Sequence, residues 1–330
     1  MSFPPFSRYG MPGRRQRVLV AEQAPPELLD GLQGLEVIYE PDLAERPAAL
    51  REALAGCSGL VVRNRVRVDE DLLDAAGGSL RVVGRLGTGL DNVDVAAAQR
   101  RGIHVVYAPW ANSASVAEHA LALMLALARR LPALDAACRG GAWRRDASGI
   151  ELRGLTLGIL GYGAAGRHLA AAARALGMRV ITHHPRRPPD HPDLAAAGVE
   201  WVDEETLLSQ SHVLSVHLPQ RPDTIGYLDR RRLALLPPGA LLVNTGRGAV
   251  VDEAALAEAL ASGRLGGAAL DVRAQEPPPR PDPLAAFDNV ILTPHVAGLT
   301  AAAQARVGRQ VAEDVRRVLA GLPPLRPAPL

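Results

Sequence analysis

Short runs of β-branched and aliphatic residues alternate with helix-forming stretches along most of the chain, and this alternation restricts the fold more than any other feature. Arg17–Ala21, Glu36–Tyr39, Gly59–Val62, Arg81–Arg85 and His104–Val106 read as strands, with helical stretches such as Leu43–Leu54 and Glu70–Ala76 between them. A second series runs through Thr156–Leu160, Arg179–Thr182, His212–Ser215, Ala240–Asn244, Gly267–Asp271 and Asn289–Leu292. Strands joined through helices pair in parallel, because a parallel crossover needs a dozen or so residues whereas a hairpin needs about two. The pattern predicts an α/β fold with two doubly wound parallel sheets, and 330 residues are enough for two domains. Between the series a helix is expected from Ser115, capped by the Ser115–Glu118 pair, to about Arg130, as the hinge between them. A last amphipathic helix, Ala301–Ala320, is ended by prolines.

Composition narrows the chemistry. The 37 basic residues are all arginine, so a Schiff-base lysine and a P-loop lysine are both excluded. A net charge of +2 gives no field to attract nucleic acid or an anionic membrane. Two cysteines, Cys57 and Cys138, cannot build a disulfide framework or a four-ligand zinc site. Adjacent His183 and His184, with His191, converge poorly on one ion, so no metal is expected. Met1–Arg17 lacks the apolar core of a signal peptide, and Ala120–Ala128 is far shorter than the roughly 20 residues of a membrane span. A soluble, cytoplasmic protein is expected.

Thr156–Leu160 runs straight into Gly161-Tyr162-Gly163-Ala164-Ala165-Gly166 and then an alanine-rich helix. A lone GxGxxG is weak, but a strand before it and a helix and second strand after it give it the context of a dinucleotide-binding loop. Gly161 permits the tight turn, Gly163 lets the backbone approach a pyrophosphate, and Gly166 allows close helix–strand packing. The helix N-terminus turns N–H groups and a positive dipole end to the phosphates. About 20 residues on, an acid is expected to hold the ribose of NAD. His184 lies 184 − 166 = 18 residues past the last glycine, and Arg186 and Arg187 follow. These residues suit a 2′-phosphate, so the cofactor leans towards NADP(H); a solvated basic loop is the other reading.

Three further strands end in polar residues. Asn244-Thr245-Gly246-Arg247-Gly248 follows one, Asp271 with Glu276 the next, and Thr293-Pro294-His295 the last. Ligands of open parallel sheets sit beyond the carboxyl ends of the strands, so these groups should line one crevice. Together these motifs resemble those of the D-isomer-specific 2-hydroxyacid dehydrogenases, and the resemblance implies reduction of a 2-keto acid, which needs a proton for the carbonyl oxygen and a cation for the carboxylate. His295 has the acid–base range for the first, and Glu276 on its other nitrogen would favour the protonated ring. Arg247 has the planar fork for the second and can polarise the carbonyl.

Taken in order, these motifs and Val83-Gly84-Arg85-Leu86-Gly87-Thr88-Gly89-Leu90-Asp91-Asn92 resemble the D-isomer-specific 2-hydroxyacid dehydrogenases over nearly the whole chain. The resemblance implies a flavodoxin-like substrate domain, residues 1–107 and 299–330, into which a Rossmann-type cofactor domain, 108–298, is inserted. It implies that Asp271 holds the nicotinamide carboxamide, that Thr224 contacts the cofactor, and that Gly87, Thr88 and Gly89 offer N–H groups to the substrate carboxylate. Arg63 and Arg85 look like the phosphate-binding positions of 3-phosphoglycerate dehydrogenases. The absence of a domain after residue 330 and the basic ribose loop make an NADPH-dependent glyoxylate or hydroxypyruvate reductase an equal expectation. Glu276 disfavours formate oxidation, and Thr88 disfavours phosphite oxidation. A dinucleotide-sensing corepressor on the same fold is the alternative to an enzyme. A homodimer is expected, because the Ala120–Ala128 stretch is apolar all round.

Overall fold

The computed structural model describes residues 16–186 and 193–329. The chain forms two compact units, Met1–Asn112 with Leu299–Leu330, and Ser113–Gly298. The first holds strands β1 (Arg17–Val20), β2 (Glu36–Tyr39), β3 (Gly59–Val62), β4 (Val82–Arg85) and β5 (His104–Val106). Their order is β2-β1-β3-β4-β5 and every pairing is parallel. That is the flavodoxin order. Both faces are covered by helices, so the inner strands are aliphatic almost throughout. The helix Ala301–Leu319, capped by Thr300 Oγ1 on the Ala303 N–H at 3.2 Å, returns the chain to this unit. Its Val307, Val311, Val315 and Val318 recur on one helical face and pack on Val18, Val61 and Val82. The expected helix Leu43–Leu54 is broken into a 3-10 turn, Leu43–Glu45, and a helix, Pro47–Leu54. Pro47 has no N–H to continue a helix but suits its first position.

The second unit holds β6 (Thr156–Leu160), β7 (Arg179–His183), β8 (Glu200–Trp201), β9 (Val213–Val216), β10 (Ala240–Asn244), β11 (Leu265–Leu270) and β12 (Val290–Leu292). The order is β12-β11-β10-β9-β6-β7-β8, again all parallel. Strand order reverses between β6 and β9, which opens a crevice beyond their carboxyl ends. The two-residue β8 has no pattern of its own and was not foreseen. The helix Ser113–Ala128 starts two residues before the expected cap, and Ser115 lies buried inside it. Ser-x-x-Glu is also the i, i+3 spacing of a helix interior, so it does not by itself mark an end. The helix belongs wholly to the second unit rather than forming a hinge. Among the described residues, no helix is long and apolar enough to cross a membrane and no cluster of ligating side chains could hold a metal ion.

Candidate active site

The buried strand β6 leads into the glycine loop. Gly161 has φ +99°, and a Cβ there would lie 3.0 Å from the His217 carbonyl, so only glycine makes this turn. Gly163 caps the helix Ala164–Ala175; no side chain bonds its first N–H groups, and open space stands where a Cβ would be. Ala164, Ala165 and Gly166 form its first turn, while Tyr162 turns into the core. A helix end with its dipole, and with open space at the Gly163 Cβ position, fits the anionic diphosphate of a dinucleotide.

At the end of β7, His184 Nδ1 accepts the Arg186 N–H at 3.1 Å. Arg186 Nε donates to Asp223 Oδ2 at 2.5 Å. Arg187 lies outside the described residues. Thr224 is buried, and its hydroxyl works inside its own loop: it accepts the Arg221 N–H at 2.8 Å and donates to Pro219 O at 2.6 Å. It thus shapes the turn that presents Asp223. Asp223 was missed as a charge partner because 37 residues separate it from Arg186.

At the end of β10 the buried Asn244 brackets the turn. Its Oδ1 accepts the Gly246 N–H at 3.0 Å and its Nδ2 donates to Arg247 O at 3.0 Å. Arg247 is half-buried, and its Nη1 donates to Gly246 O at 2.9 Å. A Cβ on Gly248 would fall 1.9 Å from the Arg273 carbonyl carbon. The Arg247 turn is therefore pressed directly on the backbone that leads to Glu276. Thr245 Oγ1 is buried here without a partner among the described residues.

Beyond β11 and β12, Glu276 Oε1 accepts the Arg273 N–H at 3.0 Å, and His295 Nδ1 meets Glu276 Oε2 at 2.8 Å. Burial pushes the Glu276 carboxyl up. The His295 and Arg273 hydrogen bonds, with the charges of His295 and Arg247, outweigh it and hold the group below its ordinary value. Glu276 is thus an acceptor at neutral pH, so Nδ1–H donates and Nε2 is the nitrogen left for a substrate. Arg273 is itself clamped, donating to Glu253 at 2.8 Å and Asp282 at 2.9 Å. His295 has φ +55°, a left-handed conformation costing about 1–2 kcal/mol in a residue with a Cβ. Asp271 is buried, and both of its oxygens accept hydrogen bonds from the protein.

In the first unit, Arg63 and Arg85 follow neighbouring strands, Val62 and Arg85 being register partners. Arg63 Nη2 donates to Gln304 Oε1 at 2.9 Å, and the exposed Arg65 pairs with Glu45 at 2.8 Å. Gly87 is buried, and Thr88 and Gly89 are partly exposed after β4.

Residues 121–297, more than half of the chain, match the family model described as "D-isomer specific 2-hydroxyacid dehydrogenase, NAD binding domain". A D-3-phosphoglycerate dehydrogenase of Archaeoglobus fulgidus is 42% identical over 310 residues, which is 93% of this chain. The chain spans only 58% of that relative's length. Among solved structures, the TT0316 protein of Thermus thermophilus aligns with a TM-score of 0.88 at 38% identity, over 95% of this chain and 100% of that one. An NADPH-dependent glyoxylate/hydroxypyruvate reductase of Sinorhizobium meliloti aligns with a TM-score of 0.81 at 30% identity, over 96% and 97%. With two parallel-sheet units, a glycine loop on β6 and these matches along its length, the chain belongs to the D-isomer-specific 2-hydroxyacid dehydrogenase family.

Proposed function

We propose that the protein is an NAD(P)-dependent D-2-hydroxyacid dehydrogenase, and that its acid–base residue is His295. The observation that carries this is the 2.8 Å pairing of His295 Nδ1 with the Glu276 carboxylate, beyond strands of the sheet whose β6 opens on the glycine loop. The bound nicotinamide would supply or accept the hydride. Nε2 of His295 gives its proton to the carbonyl oxygen during reduction and removes it during oxidation; Glu276 holds the ring in register and stabilises its charged form. Arg247 binds the substrate carboxylate and polarises the carbonyl. Arg63, Arg85 and the N–H groups of Gly87, Thr88 and Gly89 are the proposed substrate-binding groups of the first unit. Asp271 Oδ2 accepts the Ala297 N–H among the described residues, and it is the proposed holder of the carboxamide.

Candidate substrates are glyoxylate, hydroxypyruvate and the 3-phosphoglycerate pair, which differ in whether a phosphate must be held. Turnover of each with NADPH and NADH tests the reading. NADPH is expected to give the higher kcat/KM, by about one to two decades, and Arg186→Ala with Arg187→Ala should erase the gap through the KM for NADPH. His295→Ala should lower kcat by roughly 10²–10⁴-fold with cofactor binding intact. Arg247→Lys should be severely impaired, since a lysine keeps charge but loses the two-point grip. Retained turnover in the histidine variant would remove His295 as the proton donor.

A homodimer in the cytoplasm completes the proposal. The helix Ser113–Ala128 leaves Leu121 and Leu125 only partly covered. The helix after it, Leu131–Arg139, has no buried residue, and Leu131, Trp143 and Ile150 are 54%, 82% and 41% exposed. Large apolar groups exposed on and after that helix favour a second copy of the chain. Light scattering at assay concentration should give twice the monomer mass, and a monomer would refute the arrangement.

A further inference from the structure

His119 has no part in the mechanism above, yet it sits on the buried acid beneath the catalytic turn. It lies on the helix Ser113–Ala128, and its Nε2 is 3.2 Å from Thr293 Oγ1 and 3.4 Å from Asp271 Oδ1. The directions of the protons follow from the acceptors. Thr293 Oγ1 lies 2.5 Å from Asp271 Oδ1, and that carboxylate also takes the Val296 N–H on Oδ1 at 2.9 Å and the Ala297 N–H on Oδ2 at 2.9 Å. A carboxylate receiving these donors only accepts, so the single Thr293 proton points to it. The threonine oxygen must then accept from His119, whose Nε2 carries a proton. The result is a one-way chain, His119 Nε2–H to Thr293 Oγ1–H to Asp271.

This chain ends on the turn that carries His295. The His295 N–H donates to Asp271 O at 2.7 Å, and the next two N–H groups are those held by the Asp271 carboxylate. His295 itself has φ +55°, a conformation that persists only where its surroundings over-determine it. Asp271 is the centre of that constraint, with its side chain wholly enclosed. Thr293 adds a donor on its Oδ1, and His119 meets that hydroxyl and Oδ1 from the helix Ser113–Ala128. We propose that His119, acting through Thr293 and Asp271, is a positioning residue that holds the catalytic histidine turn in register. The inference rests on the acid–base reading of His295. It extends that reading to a residue on a helix rather than on the catalytic loops, where a displacement of about 1 Å is enough to cost much of the rate.

The test compares His119→Leu, His119→Gln and Thr293→Val with the unaltered protein, by steady-state kinetics and by hydrogen exchange at the Val296 and Ala297 amides. His119→Leu should lower kcat about ten-fold, the effect of one lost hydrogen bond, with the KM for the 2-keto acid within about two-fold. Exchange at the two amides should accelerate by a similar factor. His119→Gln places an N–H donor where Nε2 stands and should restore both. Combining His119→Leu with Thr293→Val should be no worse than Thr293→Val alone, because the two residues act in series. Wild-type kcat and exchange in His119→Leu would overturn the proposal. So would a loss confined to the KM for the 2-keto acid, or faster exchange spread evenly over the whole second unit, which would mark His119 as a packing residue. If the unaltered protein turns over no 2-keto acid, the proposed function fails, while the exchange rates still decide whether His119 holds the turn.

Discussion

Two oppositely charged side chains, Arg186 and Asp223, meet beside the loop after β7, where the proposed function places the adenosine ribose. His184 stands where this fold commonly places an acid, and its Nδ1 is turned to the Arg186 N–H. Arg186 reaches the site already paired with Asp223, the two side chains being 53% and 36% exposed. An exposed pair of this kind is worth about 0–1 kcal/mol, so a doubly charged phosphate can displace the carboxylate. On the proposed function, the pair would weaken the advantage of NADPH over NADH without reversing it. Asp223→Asn should lower the KM for NADPH by roughly 2–5-fold and leave that for NADH nearly unchanged. About 1 M salt should shrink the difference. An unaltered KM for NADPH would show that Arg186 does not hold the phosphate. The basic residues were legible in the sequence, but their partner was not.

The loop after β3 shows the same division at the scale of elements. Glu22, just beyond β1 and 3% exposed, accepts the N–H groups of Arg63, Asn64, Arg65 and Val66 at 2.8, 3.3, 3.0 and 3.0 Å. Asn92 closes the loop from the other side, its Nδ2 donating to Val66 O at 2.7 Å. One carboxylate thus folds the segment that presents Arg63. Glu22→Gln keeps the shape but turns two donors towards donors, and should destabilise the protein by about 2–4 kcal/mol in chemical denaturation. The KM for substrate should rise as Arg63 loses its placement. A variant as stable as the parent would mean that solvent or other groups satisfy these amides. Glu22 was missed at the sequence level because it is 41 residues from Arg63 and stands alone after an apolar strand. Apart from the two-residue β8, the strands themselves were readable within a residue or two, since buried parallel strands must be aliphatic runs.

For the molecule as a whole, two half-buried histidines contribute to the response to acid. Burial pushes His217, hydrogen-bonded to Ser215 at 2.9 Å, down to about 4 from an ordinary 6.5. His104 is lowered too, by burial and by the charge of Arg81. A histidine lowered on folding binds its proton more readily in the unfolded chain, so stability is complete above about pH 6.5 and is lost as pH falls towards 4. His217 remains partly exposed, and its share is about 1–3 kcal/mol. Unfolding measured between pH 7 and 4.5 should show this decline, and His217→Gln should flatten much of it; an equal slope in the variant would move the origin to other groups. By itself the sequence determined two parallel sheets, the glycine loop and the polar strand ends that carry Arg247, Glu276 and His295. These depend on local rules: crossover length, a glycine-only turn, and the placing of ligands beyond the strands. Only the tertiary structure decided which distant groups hold them, such as Asp223 on Arg186 and His119 on Thr293, the latter 174 residues apart. Hydrogen bonds and ion pairs act over about 3 Å, and whether two remote side chains come that close is settled by sheet order and helix packing, which no local pattern encodes.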